Sequence, residues 1–160
     1  MDYREALHLA IVPGLELLPV GLDTPEARVM MLTIGMQESR FEHRQQVGGP
    51  AHGFWQFEKG GGVKGVLMHP SSRLLIDGVC KRLNIKQECC YDAIVYNDAL
   101  AAVFARLLLF TNMQKLPKID CDPSIAWQYY LDTWRPGKPH AQTWDKFLID
   151  SRAQVAAYVG

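Results

Sequence analysis

The chain has 160 residues, about 48% of them apolar and 10% aromatic, and its 17 basic and 17 acidic residues cancel. This length and composition suit one compact domain, residues 1–160, and leave no room for two. A protein whose main partner is nucleic acid normally carries a basic excess, which is missing here. No apolar run approaches the roughly 20 residues needed to span a bilayer. We therefore expect neither a nucleic-acid partner nor a membrane span.

The predicted elements are helical along the whole chain. "DYREALHLAI" reads as a short helix stopped by Pro13-Gly14, and "TPEARVMMLTIGMQES" as a second helix capped by Thr24. A glycine-rich loop follows from about residue 41 to residue 62. Further helices are predicted over residues 71–85, 87–96, 97–113, 122–134 and 141–159.

The stretch "NDALAAVFARLLLFTNM" is apolar nearly all round and should be the buried central helix. Alternating strand patterns extend over no more than a few residues. The chain is therefore predicted to be a mostly α domain, with room for a small β-hairpin in the glycine-rich loop beside the second helix.

Four cysteines raise the question of a metal site. Cys80, Cys89, Cys90 and Cys121 do not have the paired spacing of zinc ligands, and two adjacent cysteines suit tetrahedral coordination poorly. We expect buried free thiols and no metal or other cofactor. A disulfide formed after the chain leaves the cytoplasm is the alternative.

Glu38 lies at the end of the second helix, on its apolar face. Its spacing aligns it with core-facing residues of that helix: Ala27, Met30, Met31 and Ile34. A carboxyl group among apolar and aromatic groups loses hydration, so its pKa rises and it can donate a proton near neutral pH. Gly35, one turn earlier, is expected to open space for a ligand. The alternative is a helix-end glutamate that only forms a salt bridge with Arg40 or Arg44.

The loop carries the motif Gly53-Phe54-Trp55-Gln56. Aromatic faces stack on sugar rings, and a glutamine amide can donate to and accept from hydroxyl or N-acetyl groups. Gly53 is expected to let the backbone come close to a ligand. The alternative is that the aromatic residues are simply a core plug beneath the loop.

The segment "MMLTIGMQESRFEHRQQVGGPAHGFWQFE" resembles the catalytic segment of the soluble lytic transglycosylases, relatives of goose-type lysozyme. In that family a helix ends in Glu-Ser, an aromatic residue follows shortly, and a loop leads to Gly-Leu-Met-Gln. Glu38-Ser39 and Phe41 match the first two features, and residues 53–56 match the third. Glu38 and Gln56 are eighteen residues apart, the separation found in the family's common form.

Two later stretches resemble the family more loosely. "NDALAAVFARLLL" is similar to a buried helix that begins at an asparagine, and "SIAWQYYLDTW" to the family's Ala-x-x-Tyr-Asn helix. This alignment puts Tyr129 at the tyrosine that faces the catalytic acid, and Tyr130 at the asparagine that follows it.

The resemblance implies a lysozyme-like fold and cleavage of the β-1,4 bond between N-acetylmuramic acid and N-acetylglucosamine in peptidoglycan. In the family one glutamate, here Glu38, protonates the leaving oxygen and then acts as base on the muramoyl 6-hydroxyl, which closes a 1,6-anhydro ring. The expected substrate-binding residues are Ser39, Gly53, Phe54, Trp55, Gln56, Tyr129 and Tyr130.

Two other functions stay open at this point. A lysozyme-type hydrolase needs a second carboxylate, for which Glu58 is a better candidate than Glu42 or Asp132. A non-catalytic phage structural or glycan-binding protein on the same fold is favoured by two departures from the family. Val47 replaces its second serine, and Trp55 replaces the methionine of the loop motif.

The stretch "RPGKPH" forms a basic, rigid turn next to the expected cleft. Arg135, Lys138 and His140 would meet the lactyl or peptide carboxylates of peptidoglycan. The alternative is a helix connector with solvated charges.

The start of the chain does not read as a signal peptide, because acids and Arg4 interrupt its apolar residues. With the resemblance, this favours a bacteriophage protein made in the host cytoplasm that acts on the periplasmic cell wall. We expect a virion-associated protein, with other virion proteins as partners; a lysis enzyme is the alternative.

Overall fold

In the computed structural model, which describes residues 1–158, the chain is mostly helical, as predicted. The α-helices in this range are α1 (Tyr3–Ala6), α2 (Val12–Leu15), α3 (Pro25–Ser39), α4 (Lys64–Met68), α5 (Arg73–Leu83), α6 (Cys90–Tyr96), α7 (Asp98–Thr111), α8 (Pro123–Trp134) and α9 (Ala141–Ala157). The predicted end of the last helix, residue 159, lies outside the described residues.

Helix α7 is the centre of the fold, as its composition predicts. Asn97 caps it by accepting a hydrogen bond from the backbone N–H of Leu100, at 2.9 Å. Most of its residues are buried, and it packs against α2, α3, α4, α5 and α6. Helix α9 covers α3 from another side. Together α7 and α9 hold α3, which carries Glu38, in a fixed position.

Pro13 and Gly14 do not stop the first helix, contrary to the prediction. A π-helical turn, Leu7–Ile11, connects α1 to α2, and α2 contains both residues. The wider turn makes room for a proline, which cannot donate a backbone hydrogen bond. A Cβ on Gly14 would lie 2.7 Å from both Ala102 Cβ and Ala99 O, so this glycine allows α2 to pack closely on α7.

The glycine-rich loop ends earlier than predicted. Its last residues form a second π-helical turn, Lys59–Val63, which leads directly into α4. The possible β-hairpin is represented only by two isolated antiparallel bridges, from Gln45 to His52 and from His52 to Phe57. These bridges fold the loop back on itself beside the end of α3.

Within residues 1–158, no single helix has the length and apolar character of a membrane span. In the same range, the bent pair Gln87–Tyr96 and Asp98–Thr111 is the only one that reaches that length and composition, and only when its two parts are taken together. The four cysteines are free thiols. Cys80 and Cys90 are buried, with their sulfurs 3.4 Å apart, whereas Cys89 is exposed and Cys121 half-buried, so the expectation of buried thiols is wrong for two of the four.

Candidate functional site

A cleft of about 890 Å³ lies where the end of α3, helix α8 and the π-helical turn Lys59–Val63 meet. Glu38 and Tyr130 line it together with Gln56 and Glu58 of the loop. The turn that follows α8, residues 135–140, lies on its rim. The predicted acid, the motif glutamine and the basic turn therefore share one cavity.

The Glu38 carboxylate is held by a phenol from another helix. Tyr130 Oη donates a hydrogen bond of 2.6 Å to Glu38 Oε1. Burial raises the pKa of Glu38 from 4.5 to about 7, although the hydrogen bond from Tyr130 lowers it. The desolvation effect is the larger, so the Glu38 carboxyl keeps its proton to a higher pH than an ordinary glutamate does. This is the raised pKa that the apolar position of Glu38 predicts.

Tyr130 is itself fixed by aromatic neighbours. Its ring stacks on Trp144 with centroids 5.1 Å apart and lies 5.4 Å from the ring of Trp127. Burial, followed by the charge and hydrogen bond of Glu38, raises the pKa of Tyr130 well above its ordinary value. Tyr130 therefore stays protonated and acts as a hydrogen-bond donor to the acid.

The prediction that Tyr129 faces Glu38 is wrong, and the neighbouring Tyr130 has that position. Tyr129 Oη donates to the backbone carbonyl of Leu109, at 3.0 Å, and does not bond Glu38. Successive residues of a helix point in directions about 100° apart, so a shift of one position exchanges the cleft face for the face toward α7. Tyr130, which the alignment placed at the family's asparagine, has the position next to the acid.

Ser39 connects the end of α3 to the loop. Its Oγ donates a hydrogen bond of 2.7 Å to the carbonyl of Phe54 and accepts one of 3.1 Å from the backbone N–H of Phe41. The side chain is buried and is not among the cleft residues. Ser39 was predicted to bind substrate; its contacts instead position the loop relative to Glu38.

Phe54 and Trp55 belong to the core, which is the alternative reading of the loop motif. Phe54 is 1% exposed and Trp55 0% exposed, so neither ring face is open to a sugar. Trp55 Nε1 donates 2.8 Å to the carbonyl of Met31. The prediction that these two residues stack on substrate is wrong, because both rings are enclosed under the loop.

The space beside Gly35 is filled by the protein itself. A Cβ on Gly35 would collide with the ring of Phe41, which packs edge-on against Trp55 with centroids 5.4 Å apart. Gly35 was expected to open room for a ligand. It opens room for Phe41 instead.

Gly53 and Gln56 shape the loop. Gly53 has φ +75°, a conformation that glycine adopts without strain, and a Cβ there would lie 3.3 Å from Ile94 O. It faces the protein interior and does not line the cleft, contrary to the expected approach to a ligand. Gln56 does line the cleft, and its amide donates 3.0 Å to Gly53 O. Of the four motif residues, Gln56 alone is among the cleft residues.

Glu38 does not form the salt bridge that was its alternative role. Arg44 makes a two-pronged contact with Asp98, at 2.9 Å for each nitrogen–oxygen pair. The Arg40 guanidinium lies 5.9 Å from the Phe147 ring centroid. Within residues 1–158, Glu38 takes part in no ion pair.

Glu58 is the candidate second carboxylate that lines the cleft. Its side chain is exposed and forms no ion pair within the described part of the chain. Glu42 and Asp132 are exposed and are not among the cleft residues. In residues 1–158, no group of three histidine, cysteine, aspartate or glutamate side chains is placed to hold a metal ion.

Trp134 and Gln37 are among the cleft residues that the sequence did not indicate. Trp134 is half-buried, lines the cleft and donates 3.0 Å from Nε1 to the carbonyl of Trp55. Gln37 contacts the turn of residues 135–140 on the cleft rim, because its amide Nε2 donates a hydrogen bond of 2.8 Å to His140 O. Trp134 is one turn along α8 from Tyr130, so it shares that residue's face; locating Tyr130 correctly would have identified it.

Comparison of the chain with models of protein families, with curated proteins and with solved structures finds no match.

Proposed function

We propose that this chain is a lytic transglycosylase that cleaves the β-1,4 bond between N-acetylmuramic acid and N-acetylglucosamine in peptidoglycan. The observation that carries the proposal is the Glu38–Tyr130 pair. It is a desolvated carboxyl with a pKa of about 7, aligned by a 2.6 Å hydrogen bond in a cleft of about 890 Å³. The resemblance of the helix end and loop to the transglycosylase segment supplies the reaction.

In the proposed reaction Glu38 gives its proton to the glycosidic oxygen as the bond to the anomeric carbon breaks. The resulting carboxylate then takes the proton of the muramoyl 6-hydroxyl, whose oxygen bonds to the same carbon. Glu38 begins and ends protonated, and no water is consumed. A pKa near 7 suits this exchange, since a group that acts as acid and then base works best when its pKa lies near the ambient pH.

Tyr130 orients the carboxyl so that Oε1 is occupied and the proton is carried on the other oxygen, toward the substrate. Its bond also stabilises the carboxylate after the first proton transfer, because a hydrogen bond to an ionised acceptor is stronger than one to a neutral acceptor. Trp134 and Gln56, both in the cleft, offer an aromatic face and an amide to the sugar.

Hydrolysis is the second candidate, because Glu58 lines the same cleft as Glu38. An inverting hydrolase would use Glu38 as acid and Glu58 as the base that activates water. The two reactions leave different ends. Hydrolysis leaves a reducing end. Transglycosylation leaves an anhydromuramoyl end, whose mass is lower than that of the reducing end by one water.

The test uses purified peptidoglycan digested in water enriched in heavy oxygen, with the released muropeptides read by mass spectrometry. Wild-type protein is expected to release anhydro ends without the heavy isotope. Glu38→Gln, which keeps shape and hydrogen bonding but cannot donate the proton, is expected to lose at least about 100-fold in rate. Glu58→Gln is the matched control and should retain the wild-type rate within a factor of about three, since the proposed reaction has no step for it.

Other results would change the assignment. Reducing ends that carry the heavy isotope and vanish in Glu58→Gln would establish the hydrolase. A folded wild-type protein that releases nothing would leave the non-catalytic structural or glycan-binding role.

A further inference from the structure

The rim turn, residues 135–140, carries two cationic side chains, Arg135 and Lys138, and a histidine, His140, beside the proposed acid. Arg135, Lys138 and His140 are exposed and line the cleft. Within residues 1–158, none of the three forms an ion pair with a carboxylate. The carboxylates that line the same cleft are Glu38, which is bound to Tyr130, and Glu58, which lies in the loop.

The rim turn is not a loose connector. Gln37 Nε2 donates 2.8 Å to His140 O, and Thr143 Oγ1 donates 2.9 Å to Gln37 Oε1, so both ends of the Gln37 amide are used. Gln37 directly precedes Glu38 on α3. The residue next to the acid therefore fixes the far end of the rim turn.

The near end of the rim turn is fixed as well. Arg135 ends α8 in the left-handed conformation, with φ 49° and its N–H bonded to Leu131 O at 3.0 Å. Pro136 and Pro139 restrict the backbone between the two ends. Cations on a backbone held at both ends lose less conformational entropy on binding than cations on a mobile loop.

We propose that the rim turn binds carboxylates of the substituents on the muramoyl residue, so that the enzyme prefers glycan strands carrying anionic peptides. This inference rests on the proposed function, which supplies the glycan. The geometry contributes the rest: Arg135 and Lys138 lie on a backbone held at both ends, they line the cleft that holds Glu38, and neither forms an ion pair within residues 1–158. Arginine and lysine both form charge-assisted hydrogen bonds with carboxylates.

The test compares binding of three forms of glycan strand: native peptide-bearing strands, the same strands with their carboxylates chemically amidated, and strands stripped of peptide. Binding is measured by co-sedimentation in the Glu38→Gln background, so that no cleavage is needed for a signal. The test variant adds Arg135→Gln and Lys138→Gln. The control adds Lys115→Gln and Lys118→Gln, which remove two exposed cations that do not line the cleft.

We expect the test variant to bind native strands roughly 5- to 10-fold more weakly than the control does, with the difference shrinking as salt is raised. On amidated strands the two variants should bind alike. Stripping the peptide frees the lactyl carboxylate, which in native strands is bonded to the peptide as an amide. A difference that persists on stripped strands therefore shows that the rim turn also binds the lactyl carboxylate. A difference that disappears assigns the contact to the peptide.

Equal binding of native strands by test variant and control overturns the proposal. So does a loss of the same size on native and amidated strands, which would mean that the rim turn only supports the fold. The proposed function fails in a different way: wild-type protein would release no fragments, or fragments with reducing ends, whatever the binding differences in the Glu38→Gln background.

Discussion

Tyr130 and Glu38, 92 residues apart in the sequence, form a 2.6 Å hydrogen bond that joins α8 to the end of α3. Two opposing effects meet at this carboxyl. Loss of hydration raises its pKa, and the phenol hydrogen bond lowers it, with a net value of about 7. The proton that the proposed reaction needs is therefore controlled by a contact between two helices.

Tyr130→Phe removes the hydrogen bond and keeps the ring. Because that bond stabilises the ionised form of Glu38, its loss should raise the Glu38 pKa further. The descending alkaline limb of kcat/KM against pH, where Glu38 loses its proton, should move to higher pH. The rate below that limb should fall by about 10-fold as alignment is lost. The measurement is a pH–rate profile on soluble glycan strands.

Tyr129→Phe is the control for that profile. Its hydroxyl bonds Leu109 O in the direction of α7, so this variant should lose about 1 kcal/mol of stability without moving the alkaline limb. If the limb moves in Tyr129→Phe and not in Tyr130→Phe, Tyr130 is not the partner of the acid.

Glu38→Gln should stabilise the protein at alkaline pH. Since the folded pKa is raised to about 7 from 4.5, the folded state binds the proton more tightly than the unfolded chain does. The stability that Glu38 contributes is full below about pH 4.5, falls as the pH rises to about 7, and is constant above that. At about pH 8 the variant should exceed wild type by about 2 kcal/mol, after allowance for solvent screening of this half-buried group.

Urea unfolding of both proteins at about pH 5 and about pH 8 tests this, because other titrating groups cancel in the difference. A stability difference that is the same at both pH values would mean that the Glu38 pKa is not raised.

Gly35→Ala and Gly78→Ala place the same methyl group in two helices with opposite outcomes. In α3 the new Cβ would collide with the Phe41 ring, and overpacking of this kind costs about 1–3 kcal/mol. In α5 a Cβ on Gly78 meets nothing within 4 Å, so alanine should stabilise the helix by about 0.5–1 kcal/mol. Thermal unfolding of the two variants measures both stability changes, a loss for Gly35→Ala and a gain for Gly78→Ala. A neutral Gly35→Ala would show that the Phe41 ring can move aside.

The cysteines should differ in reactivity according to burial. Cys89 is exposed, whereas Cys80 and Cys90 are buried and in contact. Burial raises the pKa of the Cys80 thiol, and burial with the neighbouring Cys80 raises that of Cys90 to about 12. Alkylation followed by peptide mapping should therefore modify Cys89 at least about 10-fold faster than Cys80 or Cys90 in the native protein. If Cys80 and Cys90 of the native protein react as fast as Cys89, and react no faster in urea, the buried positions of Cys80 and Cys90 are contradicted.

Most of the helices, the buried centre and the position of Glu38 can be predicted from the sequence. Thr24 and Asn97 mark helix starts through local hydrogen bonds, and the uniform apolar character of α7 predicts its burial. Glu38 was identified because helical periodicity aligns it with core residues, and a carboxyl in that line must lose hydration. These are properties of residues near one another in the chain, so the sequence determined them by itself.

The identity of each neighbour was decided by the tertiary structure. Helical spacing places Gly35 beside the core. The tertiary structure shows that the space beside Gly35 is filled by the ring of Phe41. In the sequence Trp55 is only an aromatic residue of a loop, and its burial appears in the tertiary structure. Tyr130 faces Glu38 because packing fixes the rotation of α8 about its axis. Periodicity determines which side of a helix is apolar. Contacts between distant segments determine what that side meets, and therefore which residues are left to line the cleft.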